Sequence, residues 1–264
     1  MKIETFKLWD NVPGKCEETP IITAYIPEDN KKDIAIVIFP GGGYERRAPH
    51  EGPEYAEFLA SFGFCAFVVN YRVSPHRFPL PLLDARRSVR FVRFNAEKFG
   101  IDKNKLIVMG SSAGGHLAAL TSTYTEPIEF EGTDDIDTED FIPNAQVLCY
   151  PVIELHTPIS HEGSGMNLLG SKYDSDYEKY IPRLLVNKNT PPAFIWHTFE
   201  DQAVDVRNSL GYITALKENE IPSEYHIFPN GSHGLGLATK EGKAYKHINQ
   251  WANLLINWLN YIEF

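Results

Sequence analysis

The stretch Leu106-Ile107-Val108-Met109-Gly110-Ser111-Ser112-Ala113-Gly114-Gly115-His116-Leu117-Ala118-Ala119-Leu120 decides how the rest of the chain is read. Four apolar residues run into Gly110–Gly114, which fits G-x-S-x-G, and a helix-forming run leads out. The pentapeptide alone is weak, because a chance match in a chain of this length has a probability of about one in ten. Its setting gives it weight. Strand, tight turn and helix in that order are what a nucleophile elbow requires, with glycines where the backbone bends sharply and the central serine projecting from the sheet edge. That serine is Ser112, and the side chain of Ser111 points elsewhere.

Outward from this point the chain alternates. Upstream, Ile34–Phe39 and Phe64–Asn70 are apolar, β-branched runs of the kind buried on both sheet faces. Between them Pro53–Phe62 reads as a helix closed by Gly63. After Ser74–Pro81 a long helix carries Leu82, Ala85, Val89 and Val92 at spacings of three and four and ends at Gly100. Downstream, Ala113–Tyr124 is a helix, Ala145–Tyr150, Ala193–His197 and Glu224–Phe228 are strands, and Ser209–Glu218 is a helix. A last helix presents Ile248, Trp251, Leu255, Trp258 and Ile262 on one face. Strands alternating with helices imply right-handed βαβ units and a mostly parallel sheet covered on both sides. Glu4–Leu8 and Pro20–Ile26 would add an antiparallel edge. Glu126–Asp140 reads as a solvated acidic loop. The segment 154–189 is too long for an ordinary connection, and its Met166, Leu168, Leu169, Tyr173, Tyr177 and Tyr180 suit a small lid. The expectation is one domain over residues 1–264 with this insert above the site.

Composition narrows the possible partners. The 264 residues carry 25 Lys+Arg against 35 Asp+Glu, a formal net charge of −10, and 43% are hydrophobic. Such a balance disfavours nucleic acid, which needs clustered cations. Arg86, Arg87, Arg90 and Arg93 form the one basic stretch, and their spacing predicts the solvated face of a helix. The longest apolar runs are six residues, Ile34–Phe39 and Phe64–Val69, too short for a membrane span. Met1–Thr5 has no apolar signal core, and Cys16, Cys65 and Cys149 show no paired spacing. These features predict a soluble cytoplasmic protein with free thiols. The oligomeric state, a homo-oligomer included, stays open.

A serine hydroxyl needs a base, and nine histidines compete for that role. His116 follows Ser112 on the same helix and leads away from it. His197 ends a strand and His226 sits inside one, so both read as packed. His50, His76 and His247 lie in polar surroundings, and His156 and His161 lie in the insert, where either could touch substrate. His233, in the Gly-rich loop after the last strand, can swing over the sheet edge. The acid orienting it is expected after the penultimate strand, where Glu200, Asp201 and Asp205 are all available. Pro40-Gly41-Gly42-Gly43-Tyr44 ends a strand and offers backbone N–H groups for an oxyanion hole, completed by the N–H of Ala113. Tyr44 beside these glycines is read, with His161, as a substrate contact. No metal-ligand spacing such as H-E-x-x-H occurs.

With these pieces assembled, nearly the whole chain resembles the α/β-hydrolase superfamily, and within it the small bacterial esterases and acetylesterases related to hormone-sensitive lipase. Pro40–Gly43 stands where many relatives have His-Gly-Gly-Gly, and Asn70-Tyr71-Arg72-Val73-Ser74-Pro75 followed by Asp84-Ala85-Arg86 resembles the Tyr-Arg-Leu-Ala-Pro segment. His161-Glu162-Gly163-Ser164 with Asn167-Leu168-Leu169-Gly170, Phe194–Thr198, His226–Phe228 and Gly231–Gly234 resemble the acetyl-xylan-esterase-like subgroup. The resemblance implies an α/β-hydrolase fold and a serine carboxylesterase for short acyl esters, foremost acetyl groups on sugars or xylo-oligosaccharides. It implies Ser112, Asp201 and His233 as catalytic residues, Gly42, Gly43 and Ala113 as oxyanion donors, and no cofactor. The acid would be the aspartate four positions after His197. Relatives usually have Val-Pro where this chain has Val204-Asp205, which keeps a second carboxylate in view. The same machinery would serve an aryl formamidase or a small peptidase. A non-catalytic binding protein on this fold is the rival from another class, and the presence of His233 speaks against it.

Overall fold

Alternate residues of each apolar run point to opposite faces of a strand, so a run with no polar member must be covered on both sides. That is what the chain builds. The computed structural model describes residues 1–264 apart from Lys15, Asn30 and Thr133. Its strands are β1 (Lys2–Lys7), β2 (Ile21–Ile26), β3 (Ala35–Phe39), β4 (Cys65–Asn70), β5 (Leu106–Ser111), β6 (Ala145–Cys149), β7 (Ala193–Thr198) and β8 (Ser223–Phe228). They form one sheet in the order β1-β2-β4-β3-β5-β6-β7-β8. β1 and β2 are the antiparallel edge, and every pairing from β4 to β8 is parallel.

The helices are α1 (Pro53–Ser61), α2 (Leu80–Phe94), α3 (Ala96–Phe99), α4 (Ala113–Thr123), α5 (Glu162–Leu169), α6 (Tyr173–Asp176), α7 (Pro182–Leu185), α8 (Arg207–Glu218), α9 (Lys243–Ile248) and α10 (Gln250–Tyr261). Val37, Phe39, Phe67 and Val108 pack with Leu82, Val89, Leu117, Leu120, Tyr212 and Leu216 of α2, α4 and α8 on one face. Ile36, Ile38, Ile107, Met109 and Trp196 pack with Tyr55, Leu59, Trp251, Leu255 and Leu259 of α1 and α10 on the other. The expected final helix is divided at Asn249, whose side-chain amide donates to the Leu237 carbonyl at 2.5 Å. Among the described residues no helix is long and apolar enough to cross a membrane, and the three cysteines are free thiols.

One expectation fails, and the largely exposed acidic loop supplies the reason. The four arginines of α2 are not a solvated face: Arg86 is fully buried and the other three nearly so. Their counter-charges come from the acidic loop 126–140, of which Thr133 lies outside the described residues. Arg86 and Arg90 share Glu131 at 3.0 and 2.9 Å. Arg87 pairs with Asp134 and Asp137 at 2.5 and 2.9 Å. Arg93 donates to the backbone carbonyls of Asp140 and Ile142. Aromatic faces complete the cover, with the Arg86 guanidinium 3.9 Å from the Phe141 ring centroid. A buried cation is tolerated when paired and hydrogen-bonded, so the loop and the helix face are parts of one structure.

Candidate active site

Parallel strands place all their carboxyl ends along one edge, and the candidate residues gather there from four of them. β3 runs into Pro40–Tyr44, β5 into Ser112, β7 into Asp201, and the chain after β8 carries His233. From the insert 154–189, Asn167 reaches this edge at the Gly43 carbonyl. Leu168, Leu169, Tyr173 and Tyr180 sink into the core, while Met166 stays exposed.

The elbow is a sharp turn with a steric requirement. Ser112 sits at φ 55° and ψ −120°, and Gly114 lies so close to β3 that a Cβ there would meet the Phe39 carbonyl oxygen at 2.0 Å. Only a residue without a side chain fits. Ser112 Oγ lies 2.8 Å from His233 Nε2, and His233 Nδ1 lies 2.6 Å from Asp201 Oδ2. A carboxylate only accepts, so Nδ1 carries the proton and Nε2 is free to accept from the serine hydroxyl. The structure thus brings Ser112, His233 and Asp201 into one hydrogen-bonded chain. Glu200 and Asp205 stay outside it. Glu200 accepts from the Asn230 amide at 3.0 Å, and Asp205 pairs with Arg207 at 2.6 Å.

Asp201 is more firmly held than spacing suggests. Oδ1 accepts the N–H groups of Ala203 and Val204, each at 2.9 Å, and Oδ2 takes a second imidazole, His197 Nε2, at 3.1 Å. Burial alone would push this carboxyl up. The bonds from His197 and His233, the His233 charge and the Val204 N–H hold it well below the usual carboxylate range. His197 is therefore more than packing: Ser209 Oγ donates to its Nδ1 at 2.8 Å, which leaves Nε2 as donor to Asp201 and to the Val204 carbonyl. The only signal in the sequence was a histidine four residues before the acid.

Gly42 and Gly43 take φ values of 123° and 67°. Among the described residues the N–H groups of Gly42, Gly43 and Ala113 have no hydrogen-bond acceptor, and Ala113 opens α4, where the helix dipole adds positive potential. His161 caps α5 by accepting the Ser164 N–H at Nδ1, 3.2 Å away, and the Ser164 hydroxyl lies 2.9 Å from the same nitrogen. Its ring faces Gly43, since a Cβ on that glycine would lie 3.8 Å from His161 Cε1. Burial, with the nearby His233 charge, lowers its pKa. Asn167 of α5 ties the same loop by donating to the Gly43 carbonyl at 2.9 Å.

Tyr44 requires a correction. At 0% exposure it cannot touch a substrate. Its φ of 55° turns the side chain inward, where the hydroxyl donates to His116 Nδ1 at 2.9 Å while His116 Nε2 donates to the Tyr180 carbonyl at 2.8 Å. Adjacency to the glycines gave the residue's backbone position and misled about its side chain. His50, set aside for its polar surroundings, bonds the Gly234 carbonyl through Nε2 at 2.9 Å, and two further groups at this edge, the buried pair Glu51 and Tyr150, were absent from the sequence reading.

The BD-FAE family matches residues 22–216, a span that includes Ser112 and Asp201 and stops short of His233. The chain is 37% identical over 227 residues to the endo-1,4-beta-xylanase B of Butyrivibrio fibrisolvens, covering 84% of this chain and 35% of that protein. It is 34% identical over 247 residues to the acetylxylan esterase of Xylanibacter ruminicola, covering 91% and 48%. It thus spans between a third and a half of the length of these curated relatives. The crystal structure of an acetyl ester-xyloside bifunctional hydrolase from Caldicellulosiruptor lactoaceticus superposes with a TM-score of 0.90 at 40% identity, over 98% of this chain and 96% of that one. Sheet order, elbow and these likenesses agree: the chain has an α/β-hydrolase fold and belongs to the BD-FAE family.

Proposed function

We propose that this chain is a serine carboxylesterase that removes short acyl groups, foremost acetyl groups from sugar hydroxyls. The observation that carries the reading is the Ser112–His233–Asp201 chain, with links of 2.8 and 2.6 Å, beside unengaged backbone donors. In this reading Ser112 attacks the acyl carbon, and His233 takes the proton and returns it to the leaving sugar oxygen. Asp201 fixes the imidazole tautomer, and the N–H groups of Gly42, Gly43 and Ala113 hold the oxyanion. Water then repeats the sequence on the acyl-enzyme, and no step calls for a cofactor. Sugar chemistry is supported by the names of the acetylxylan esterase and the acetyl ester-xyloside hydrolase it resembles. Short acyl groups are supported by the insert, whose His161 stands beside Gly43 and whose Asn167 donates to the Gly43 carbonyl at 2.9 Å.

Residues 1–264 act here as one domain, with the insert over the site and His161 facing the substrate. Buried reduced Cys65 and Cys149 suit a reducing, cytoplasmic setting. The test is a panel of p-nitrophenyl esters from two to eight carbons, acetylated xylo-oligosaccharides, an aryl formamide and a peptide amide. Acetyl and propionyl esters should lead, Ser112→Ala should abolish turnover, and Ser111→Ala should not. Preference for the formamide or the amide, or full activity in Ser112→Ala, would overturn the reading.

A further inference from the structure

The loops around Ser112 leave different strands, yet catalysis needs them aligned to within about 0.5 Å. One carboxylate takes hydrogen bonds directly from two of them and reaches a third through a tyrosine. Glu51 ends the 3₁₀ turn Pro49–Glu51 and is only 2% exposed. Its Oε2 accepts the N–H of Gly41 at 2.8 Å, and its Oε1 accepts the hydroxyl of Tyr150 at 2.8 Å. The packing is close, since a Cβ on Gly41 would meet Glu51 Oε2 at 2.5 Å and the Ser111 carbonyl at 2.6 Å. Tyr150 extends the network in two directions. Its oxygen accepts the N–H of Gly236 at 3.0 Å, in the loop after β8, and its ring stands edge-on to the His233 imidazole with centroids 5.1 Å apart. It also meets the Tyr55 hydroxyl at 3.2 Å, and Ser111 Oγ donates to Tyr55 at 3.2 Å. Because Glu51 can only accept, the protons run one way, from Ser111 through Tyr55 and Tyr150 to Glu51. Tyr150 holds a φ of 37°, a conformation a bulky residue keeps only when its surroundings impose it.

An ionised carboxylate buried this far is costly, and its two acceptor contacts tie together loops that meet only at the site. We propose that Glu51 is a positioning residue for hydrolysis. It holds Gly41, and with it the Gly42 and Gly43 donors, and through Tyr150 it holds the His233 loop, in register with Ser112. The role rests on the esterase reading above, and it assigns Glu51 no contact with substrate.

The test compares Glu51→Gln and Tyr150→Phe with the parent on p-nitrophenyl acetate. Turnover is expressed per serine titrated to end-point with a phosphonate, so that unfolded protein is not counted. Glu51→Gln removes one acceptor and Tyr150→Phe removes the link to Gly236. Each should lower kcat by about 10- to 100-fold with KM within about threefold, less than the loss of a direct oxyanion donor. The double variant should lose no more than the worse single one, because the two act through each other. A kcat per titrated serine within twofold of the parent in both variants would overturn the proposal, as would a rise in KM at unchanged kcat. Should Glu51→Gln yield no titratable protein, Tyr150→Phe decides by the same criteria. A parent that hydrolyses none of the esters would instead refute the esterase reading, while an active parent with neutral Glu51 and Tyr150 variants refutes this inference alone.

Discussion

Replacing Asp201 by asparagine isolates a single consequence of the site's wiring. Oδ1 is pinned by the N–H groups of Ala203 and Val204 at 2.9 Å each, so the asparagine carbonyl takes that place and its NH2 falls where Oδ2 was. A donor then faces His233 Nδ1, and the imidazole satisfies it only by moving its own proton to Nε2. Ser112, 2.8 Å away, is left without a base. A wrong tautomer of this kind costs up to about 10⁴-fold in kcat. Partial recovery through a turned amide sets a lower bound of about 10²-fold, so the barrier rises by about 3–5 kcal/mol. The assay is kcat on p-nitrophenyl acetate, with the unfolding midpoint measured alongside to establish that the protein is folded. Glu200→Gln and Asp205→Asn serve as controls and should stay within about tenfold, because Glu200 meets Asn230 at the surface and Asp205 is engaged by Arg207. An Asp201→Asn enzyme within tenfold of the parent, with Asp205→Asn crippled, would refute this reasoning and move the acid to Asp205.

Other consequences concern the surrounding structure. Tyr44→Phe should leave KM unchanged and cost about 1–3 kcal/mol in chemical denaturation, by stranding the His116 Nδ1 acceptor; a several-fold rise in KM would restore Tyr44 as a substrate contact. Asp84 accepts from Trp9 Nε1 and three times from Arg72 at 2.8–3.0 Å. Asp84→Ala should therefore destabilise by about 3–5 kcal/mol in urea, the cost of a buried cation that has lost its partner, and a loss below 1 kcal/mol would contradict that account. Burial pushes the His116 imidazole down to about 4 from 6.5. Between these values the unfolded chain binds the extra proton, so stability is complete above pH 6.5 and declines towards pH 4 by about 3 kcal/mol. Urea midpoints from pH 7.5 to 4.5 should show this decline, and it should be smaller in His116→Gln.

How much could be read beforehand depended on the range of the interaction. Ile34–Phe39 and Leu106–Met109 were legible as strands because burial on both faces leaves no polar member in the run. Ser112 and His233 were legible because a sharp turn and a flexible loop at one sheet edge leave local marks in glycine. Asp201 could not be separated from Glu200 and Asp205 by spacing, since what distinguishes it is the aim of Oδ2. The arginines of α2 were misread because their partners lie some 40 to 50 positions away in the loop 126–140, and no local pattern tells a paired guanidinium from a hydrated one. Glu51 left no mark, for its role exists only when β3, β6 and the chain after β8 come together.

Ser112 occupies backbone space that glycine enters freely and serine does not, at a standing cost of about 1–3 kcal/mol. Heat resistance and turnover therefore make opposite demands on this one codon. A variant library sorted by survival at high temperature would enrich Ser112→Gly and return hardened proteins with no chemistry. Directed evolution of this scaffold has to keep turnover in every round of selection, and stabilising changes are better sought on the side of the sheet away from the elbow.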